Sequence, residues 1–428
     1  MRIIQITPGS GDNFYCENCL RDNLIVRALR RLGHDAILVP LYLPPQLEDT
    51  GKDNPTPIFF GGINVYLQQK LGLFCKTPRW VDKLFDSRGL LRMAAKKAGM
   101  TNAKDLGETT ISMLRGEEGR QVKELDRLVD WLGSEAKPDV VCLSNALLAG
   151  LARRIKARLG APVVCLLQDE DGFLDGLGEA YSLEAWRILR ERLAEVDALI
   201  AVSEYYAQVM RKRLNLSVER VQVVHGGVEV ERYEPAEAPP EAPTIGFLSR
   251  MCEEKGLDIL AEAFIELKQE EKYRNIRLHI AGGQLANDVD YIQTVKNRLS
   301  AAGVTGDVQF QESFEGEDRI RFLKGLSVMS VPERNGEAFG LYLLEAMAMG
   351  VPVVQPRNGV SVELIEATGG GILYEPNDVE SLAAALKDIL GDAEKRSESG
   401  RRGRESVLEN FDMMTSAKKL TTIYESLP

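Results

Sequence analysis

The chain has 428 residues, of which 44% are hydrophobic and 27% charged, and its formal net charge is −11. This composition is typical of a globular protein with two or three domains, and it excludes disordered and collagen-like chains. The acidic balance argues against sequence-independent nucleic-acid binding, which depends on a basic surface. No apolar stretch reaches the roughly 18 residues of a spanning helix, and the start, MRIIQITPGSG, is unlike a signal peptide. We therefore expect a cytoplasmic protein.

The first half of the chain alternates short β-branched runs with amphipathic stretches. The sequence predicts strands at residues 2–7, 35–43, 139–144, 162–168, 198–203 and 221–227, and helices at residues 19–33, 144–160 and 182–196. Continuous apolar strands separated by helices indicate a parallel sheet that is covered on both faces. Residues 235–243, PAEAPPEAP, are rich in proline and predict a linker between two domains.

The same alternation restarts after the linker. Strands are predicted at residues 244–250, 276–283, 308–313, 326–333, 352–356 and 371–376, and a helix at residues 258–269. The fold class is therefore α/β, with two doubly wound, Rossmann-like domains facing across a crevice. Ligands of such sheets bind outside the carboxyl ends of the strands, so we expect the chemistry at that crevice.

Two features of the first half leave alternatives open. Cys16-Glu-Asn-Cys19 has the C-x-x-C spacing but lacks the further ligands of a zinc site, so packing at the helix start competes with redox or metal chemistry. Residues 76–105 contain eight Lys or Arg and three Asp, with aromatic residues between them. This basic segment is either a solvated helical face or an element that contacts an acceptor or an anionic membrane surface.

The segment VPERNGEAFGLYLLEAMAMGVPVV carries the most chemical information. Its glycine-containing loop leads into a helix, and the amides at a helix start bind phosphate. Glu337 would repel an anion there, so we interpret it as an acceptor of hydroxyl hydrogen bonds. Glu345 follows eight residues later, roughly 10 Å away along a helix. Two such carboxylates beside an anion site fit a ligand with a sugar on each side of a diphosphate, which is a nucleotide sugar.

Positive charge for the diphosphate comes from the segment GFLSRMCEEKGLD. Arg250 follows a strand and Lys255 precedes a helix, so both are expected at the carboxyl ends of strands. Alternatively, they are surface cations paired with Glu253 and Glu254. With these cations and a helix start available, we expect neither a metal nor another cofactor. In the first domain, Gly9 and Gly11 follow the first strand and form an incomplete dinucleotide-binding fingerprint.

In order and spacing, these segments resemble the retaining GT-B glycosyltransferases of family 4. The resemblance rests on the G-x₃-R-x₄-K-G stretch ending at Gly256, IAGG at residues 280–283, the pair Glu337 and Glu345, and EAMAMGVPVV. It implies three domain segments: an acceptor domain at residues 1–238 with a helical insertion at about 42–119, a donor domain at 239–405, and a helix at 406–428 that returns to the acceptor domain.

The resemblance also implies residue roles. The catalytic residues would be Arg250 and Lys255, which bind the donor diphosphate, and Glu337, which holds the donor sugar. Glu345 would hold the ribose. The other donor-binding positions would be Gly9, Gly11, Gly283, Phe339, Gly340 and Leu341, the last three through backbone amides. On the acceptor side, the histidine that is frequent after the fourth strand reads Gln168 here, followed by Asp169.

The expected reaction is therefore retaining transfer of a hexosyl group from a nucleoside-diphosphate sugar, with a UDP-sugar favoured, to an acceptor hydroxyl. Another nucleotide-sugar enzyme on the same fold, such as an epimerase or a phosphorylase-like protein, is the alternative, as is a non-catalytic nucleotide-sugar binding module. The acceptor would be a small molecule, an oligosaccharide or a lipid-linked molecule. No nucleic-acid partner is expected, and the basic segment at residues 76–105 allows weak peripheral contact with a membrane.

Overall fold

The computed structural model describes residues 1–9, 17–42, 103–311 and 313–428, and these residues form two compact units. The first unit contains the described residues up to His225 together with Ser416–Pro428, and the second extends from Gly226 to Thr415. Each unit is built around one sheet of six parallel strands. Gly11, Cys16 and most of the predicted insertion, including residues 76–102, lie outside the described residues.

The strands of the first unit occur where apolar runs predict them. They are β1 (Arg2–Thr7), β2 (Asp35–Pro40), β3 (Val140–Leu143), β4 (Val163–Leu167), β5 (Ala198–Ala201) and β6 (Val221–Val223). The sheet order is β2-β1-β3-β4-β5-β6, so the order reverses between β1 and β3. β3, β4 and β5 are buried along their whole length, as expected for central strands with helices on both faces.

Helices of the first unit follow the strands. They are α1 (Glu17–Arg31), α2 (Ala103–Arg115), α3 (Val122–Trp131), α4 (Ala152–Leu159), α5 (Glu170–Asp175), α6 (Glu179–Leu193) and α7 (Glu204–Leu214). The helix predicted over residues 144–160 is divided, because residues 146–151 form a 3₁₀ turn before α4 begins. A Cβ on Gly150 would lie 2.1 Å from the carbonyl oxygen of Met113, so the turn allows a close backbone approach.

The second unit repeats the architecture. Its strands are β7 (Thr244–Leu248), β8 (Arg277–Ala281), β9 (Val308–Gln311), β10 (Val328–Met329), β11 (Val353–Pro356) and β12 (Gly371–Tyr374). The sheet order is β12-β11-β10-β7-β8-β9, which places the reversal between β7 and β10. Two doubly wound α/β units are thus present, and this fold prediction is confirmed.

The remaining helices are α8 (Leu257–Lys268), α9 (Val289–Ala301), α10 (Gly316–Lys324), α11 (Leu341–Ala348), α12 (Gly359–Thr368), α13 (Val379–Gly391), α14 (Ala393–Asn410) and α15 (Met413–Glu425). α11 is buried at every position, which agrees with its composition of mostly Leu, Ala and Met, although Glu345 is buried with them. Gly350 follows α11 in the left-handed conformation, with a φ of 79°, which is typical of a glycine after a helix end.

The units divide at positions other than the predicted cuts after residues 238 and 405. Residues 226–238 pack within the second unit, because Val228 forms a β-bridge with Asp412 and the Tyr233 hydroxyl donates to Glu345 at 2.7 Å. α14 belongs to the same unit, since it packs against α11 and α12. Only from Ser416 onward do the residues belong to the first unit.

Candidate functional site

The reversal between β7 and β10 brings two predicted site residues together. Lys255 lies in the loop after β7, and Glu337 lies in the loop after β10. The Lys255 ammonium donates to Glu337 Oε2 at 2.6 Å and lies 2.9 Å from Glu333 Oε2. The alternative in which Lys255 is a surface cation therefore does not describe this structure. Glu333 was missed at the sequence level, although it lies in the same segment four residues before Glu337.

Glycines allow these loops to meet. Gly256 begins α8 with a φ of 67°, and a Cβ there would lie 2.1 Å from the carbonyl oxygen of Pro332. Gly359 begins α12 with a φ of 58°, and a Cβ there would lie 2.4 Å from the backbone nitrogen of Glu337. The amide of Val360 donates to the Glu337 carbonyl at 2.8 Å. The backbone that carries Glu337 is therefore fixed from the side of α12.

The charged side chains of this site are largely shielded from solvent. Glu333 and Glu337 are each 5% exposed, whereas the side chain of Lys255 is 20% exposed. Burial raises the pKa of Glu333, the Lys255 ammonium lowers it, and the Glu337 carboxylate raises it again; the net direction is upward. One ammonium thus lies between two carboxylates and keeps a path to solvent.

Arg250 is also placed by an acidic partner. Its Nε and one Nη donate to the two carboxylate oxygens of Asp288 at 2.9 and 2.8 Å. Asp288 precedes α9, and its Oδ2 also accepts from the Leu285 amide at 2.7 Å. Gly283 lies beside this pair, because its carbonyl accepts from the Met251 amide at 2.9 Å. The structure therefore brings Arg250 and Gly283 together after β7 and β8, with Asp288 as a partner that the sequence did not reveal.

Glu345 lies within α11 and is 4% exposed. Arg319 Nε donates to its two oxygens at 2.8 and 2.9 Å, a second Arg319 nitrogen donates to Oε2, and the Tyr233 hydroxyl donates to Oε1. The expected separation of roughly 10 Å from Glu337 does not apply, because α11 begins only at Leu341 and Glu337 is in the preceding loop. Arg319 and Tyr233 were not predicted.

The predicted phosphate-binding amides stand at the start of α11. Gly340 precedes the helix with a φ of 69° and provides no side-chain cap, and Phe339 and Leu341 are buried on either side of it. A Cβ on Gly226 would lie 2.0 Å from the Phe339 ring, so that ring packs against a glycine. Packing therefore fixes the backbone at the start of α11. Anion binding at a helix start depends on backbone N–H groups that are held in this way.

The acceptor-side residues lie after β4 in the first unit. Gln168 is 1% exposed, accepts a hydrogen bond from Arg21 and donates one to the Ser144 carbonyl. Asp169 is exposed and has a φ of 62°. Gly9 follows β1 with a φ of 77°. The structure thus separates the two acceptor-side candidates, with Gln168 in the core and Asp169 at the surface.

A buried carboxylate next to them was missed. Glu170 is 1% exposed, accepts from the amides of Ala146 and Gln168 at 2.8 Å each, and accepts from the Tyr206 hydroxyl at 2.7 Å. Burial raises its pKa against these hydrogen bonds. Three consecutive acidic residues, 169–171, follow β4 and could have pointed to it. Acidic residues at a strand end are also typical of metal-ion sites. Within the described ranges, however, no group of three His, Cys, Asp or Glu side chains could hold a metal ion.

Two family models match adjacent parts of the chain. The model described as group 1 glycosyl transferases matches residues 228–406, and the model described as glycosyltransferase family 4 matches residues 108–232. Separately, none of the helices in the described part of the chain combines the length and apolar character that a bilayer crossing requires.

Relatives with similar sequences carry glycosyltransferase names. The chain is 27% identical over 255 residues to the D-inositol 3-phosphate glycosyltransferase of Corynebacterium efficiens, which covers 56% of this chain and 59% of that protein. It is 25% identical over 396 residues to a GDP-mannose-dependent α-(1-6)-phosphatidylinositol monomannoside mannosyltransferase of Mycolicibacterium smegmatis, covering 86% of this chain and 96% of that protein. The chain therefore spans less than two thirds of the length of the D-inositol 3-phosphate glycosyltransferases that it matches.

Solved structures share the fold. The sucrose-phosphate synthase of Thermosynechococcus elongatus superposes with a TM-score of 0.70 at 16% identity, covering 99% of this chain and 98% of that one. The HepE protein of Anabaena in complex with UDP superposes with a TM-score of 0.70 at 15% identity and covers 100% of each chain. At these identities the comparison shows the fold alone, and it agrees with the architecture of the two units.

Proposed function

Since this chain belongs to the family 4 glycosyltransferases of the GT-B fold, we propose that it transfers a hexosyl group from a nucleoside-diphosphate sugar to an acceptor hydroxyl. The observation that carries the proposal is the position of Lys255 at the strand-order reversal of the second sheet, 2.6 Å from Glu337. Ligands of doubly wound sheets bind at this point, and a cation beside a hydroxyl-binding carboxylate suits a phosphate followed by a sugar.

Donor binding would exchange carboxylate partners for phosphate oxygens. Lys255 is held by Glu333 and Glu337, and Arg250 is held by Asp288, so both cations are positioned before a ligand arrives. Such preorganised charges stabilise the diphosphate as the glycosidic bond breaks, when negative charge develops on it. Glu337, once released from Lys255, would accept hydrogen bonds from the sugar hydroxyls. The start of α11, at Phe339, Gly340 and Leu341, would contribute backbone amides to the phosphates.

Retention of the anomeric configuration is part of the proposal. The acceptor attacks the face from which the diphosphate leaves, and the leaving phosphate takes the proton of the acceptor hydroxyl, so no separate base is required. Glu345 would hold the ribose while remaining paired with Arg319. Product stereochemistry, read by NMR from the newly formed glycoside, tests this step: an inverted anomer would reject it.

The comparisons name two nucleotides that bear on the identity of the donor. The fold is shared with a protein crystallised with UDP, and one relative is named as GDP-mannose-dependent. We favour a UDP-sugar and propose that it binds without a metal. Calorimetric titration with UDP, GDP and ADP in EDTA should show binding of at least one of them. If every nucleotide needs Mg²⁺ or Mn²⁺ to bind, the metal-free part of the proposal is wrong.

The acceptor is proposed to bind the first unit near Gln168 and Asp169, and the protein is proposed to work in the cytoplasm. A soluble sugar or polyol and a lipid-linked molecule are both compatible with this proposal. A donor-hydrolysis screen over UDP-, GDP- and ADP-sugars comes first, because the donor narrows the range of acceptors. The same screen tests the alternatives: release of an epimerised nucleotide sugar would favour an epimerase, and binding with no turnover in any acceptor mixture would favour a binding module.

Alanine variants test the proposed cations. Lys255→Ala and Arg250→Ala should each lower turnover by on the order of 10²-fold, because each removes charge that stabilises the leaving diphosphate. Lys387→Ala is the matched control, since Lys387 also lies between two carboxylates, 2.8 Å from each of Glu266 and Glu270. Turnover of the control should stay near that of the parent protein. Near-normal turnover in both site variants would reject the assignment.

A further inference from the structure

Glu333 is a buried carboxylate that the proposed reaction leaves without a role. Its Oε2 lies 2.9 Å from the Lys255 ammonium, on the same cation that Glu337 contacts at 2.6 Å. Both carboxylate side chains are 6% exposed. Glu333 is held in this position, because its Oε1 accepts from the Asn335 amide at 3.0 Å and its carbonyl accepts from the Asn358 side chain at 3.0 Å.

Without the donor, the charges around Lys255 oppose the approach of a diphosphate, because the carboxylates outnumber the ammonium. Two carboxylates share one ammonium, so the cluster is already negative, and a nucleoside-diphosphate sugar would bring two further negative charges. Neighbouring cations are engaged: Arg250 binds Asp288 through two nitrogens, and Arg334 binds both oxygens of Asp258 at 2.9 and 2.7 Å. When the diphosphate takes Lys255, a buried carboxylate loses its counter-ion, which is costly unless that carboxylate becomes neutral.

The surroundings of Glu333 favour its neutral form once Lys255 is withdrawn. The charged groups that face its carboxylate are the Lys255 ammonium and the Glu337 carboxylate, and the backbone amide of Asn335 donates to it. Burial and Glu337 raise its pKa, whereas the Lys255 ammonium and the Asn335 amide lower it, and the net direction is upward. Withdrawal of Lys255 toward a phosphate therefore removes the one nearby charge that favours the ionised form of Glu333.

We propose that Glu333 is a positioning residue of the donor site, which holds Lys255 in the empty enzyme and takes up a proton from water as the donor diphosphate takes over the ammonium. The inference rests on the proposed function. The proton passes from solvent to a carboxylate oxygen of Glu333, Lys255 keeps its own protons, and the ion pair between them is replaced by one between Lys255 and a phosphate oxygen. Donor affinity should then fall as the pH rises, because binding consumes a proton.

Calorimetry measures this proton directly. UDP-glucose and GDP-mannose are titrated at one pH in two buffers with different enthalpies of ionisation, and the difference in heat gives the protons taken up. Sugar nucleotides are used rather than UDP or GDP, because a terminal phosphate titrates near pH 6 and would add its own proton. The parent protein should take up as much as one proton per donor. Its affinity for the donor should fall by up to about tenfold per pH unit above the pH at which Glu333 is half-protonated in the free protein.

Three variants assign the proton. In Glu333→Gln we expect no uptake and an affinity that is independent of pH. Glu253→Gln removes an exposed carboxylate two residues before Lys255, and it should behave like the parent protein. Glu337→Gln should reduce the uptake without abolishing it, because it removes the charge that raises the pKa of Glu333 while the burial of Glu333 remains.

The outcomes separate the two proposals. If no UDP-, GDP- or ADP-sugar binds the parent protein, the proposed function is at fault. If one binds without proton uptake, or if the uptake survives in Glu333→Gln, the role of Glu333 is refuted while the proposed function stands. Because the parent protein alone can give the first of these refutations, the test does not depend on the folding of any variant.

Discussion

Gly359→Ala should damage the donor site from a position that carries no functional side chain. A Cβ at residue 359 would lie 2.4 Å from the Glu337 nitrogen, 2.7 Å from the Gly336 Cα and 2.8 Å from the Glu337 carbonyl oxygen. Non-bonded heavy atoms prefer separations of about 3.5 Å or more, so the loop would have to retreat by about 1 Å. A misplacement of that size can lower turnover by about 10²-fold, and we expect a loss of this order.

The left-handed backbone at Gly359, with a φ of 58°, contributes separately to the effect. A residue with a side chain loses about 1–2 kcal/mol in that conformation, which would lower stability without touching Glu337. Gly303→Ala isolates this component, because Gly303 has a φ of 73° and a Cβ there would meet no heavy atom within 4 Å. Both variants should lose a similar amount of stability from the backbone alone.

The assay compares the two variants for donor affinity by calorimetry, for the initial rate of donor hydrolysis, and for thermal unfolding. Gly359→Ala should lose turnover and affinity, whereas Gly303→Ala should keep both at a temperature where each variant is folded. Equal donor turnover in the two variants would refute the reasoning, since it would mean that the approach of Gly359 does not fix Glu337.

Two further predictions concern buried charges. Arg319→Met should destabilise the second unit by about 3–5 kcal/mol, because it leaves the buried Glu345 carboxylate without its counter-ion. Adding Glu345→Gln should recover part of this loss. Arg321→Met, at an exposed position of the same helix, should change stability by less than about 0.5 kcal/mol. Chemical denaturation of the four proteins checks this order, and a loss in Arg321→Met equal to that in Arg319→Met would contradict it. Burial raises the pKa of Asp22 to about 6, so the folded protein favours the protonated form of this carboxyl group. The resulting stabilisation is complete below pH 4 and is lost as the pH rises through 6. The free energy of unfolding should fall by about 3 kcal/mol over this range. Relative to Asp22→Asn, the parent protein should therefore lose stability between pH 4 and pH 7, and a pH-independent difference would contradict the assignment.

The sheets were predictable from the sequence, because most of the strands in the described residues are short runs rich in apolar residues and bounded by polar or glycine-containing turns. Helix limits were less accessible. The pattern of residues 144–160 predicts one amphipathic helix, yet residues 146–151 form a 3₁₀ turn in which Gly150 closely approaches another backbone segment. The close contact is with Met113, far away in sequence, and periodicity within a segment has no information about it.

The positions of the candidate site residues were predictable where they lie in loops that follow strands. Lys255 and Glu337 could be chosen because each lies next to a glycine-containing turn at a strand end. Their partners were missed for a physical reason: Asp288 is 38 residues from Arg250 and Arg319 is 26 residues from Glu345, so each ion pair exists only after the sheet has formed. Glu333 lies next to the motif, but its importance comes from its contact with Lys255, which the sequence does not show.

The discontinuous first unit has a consequence for how the protein is made. Residues 416–428 belong to it, since Ser416 Oγ donates to the His225 carbonyl at 2.8 Å, Thr421 Oγ1 lies 3.2 Å from His34 Nε2, and Tyr424 is buried. Between His225 and Ser416 the ribosome must synthesise the second unit of about 190 residues, which takes roughly ten to forty seconds at bacterial or eukaryotic rates. For that time the nascent first unit lacks one of its covering helices, whereas the second unit can complete its core as soon as it has emerged. We therefore expect the first unit to complete its fold only after the second unit has been synthesised, and a fragment of residues 1–225 to be less stable than the first unit in the whole chain.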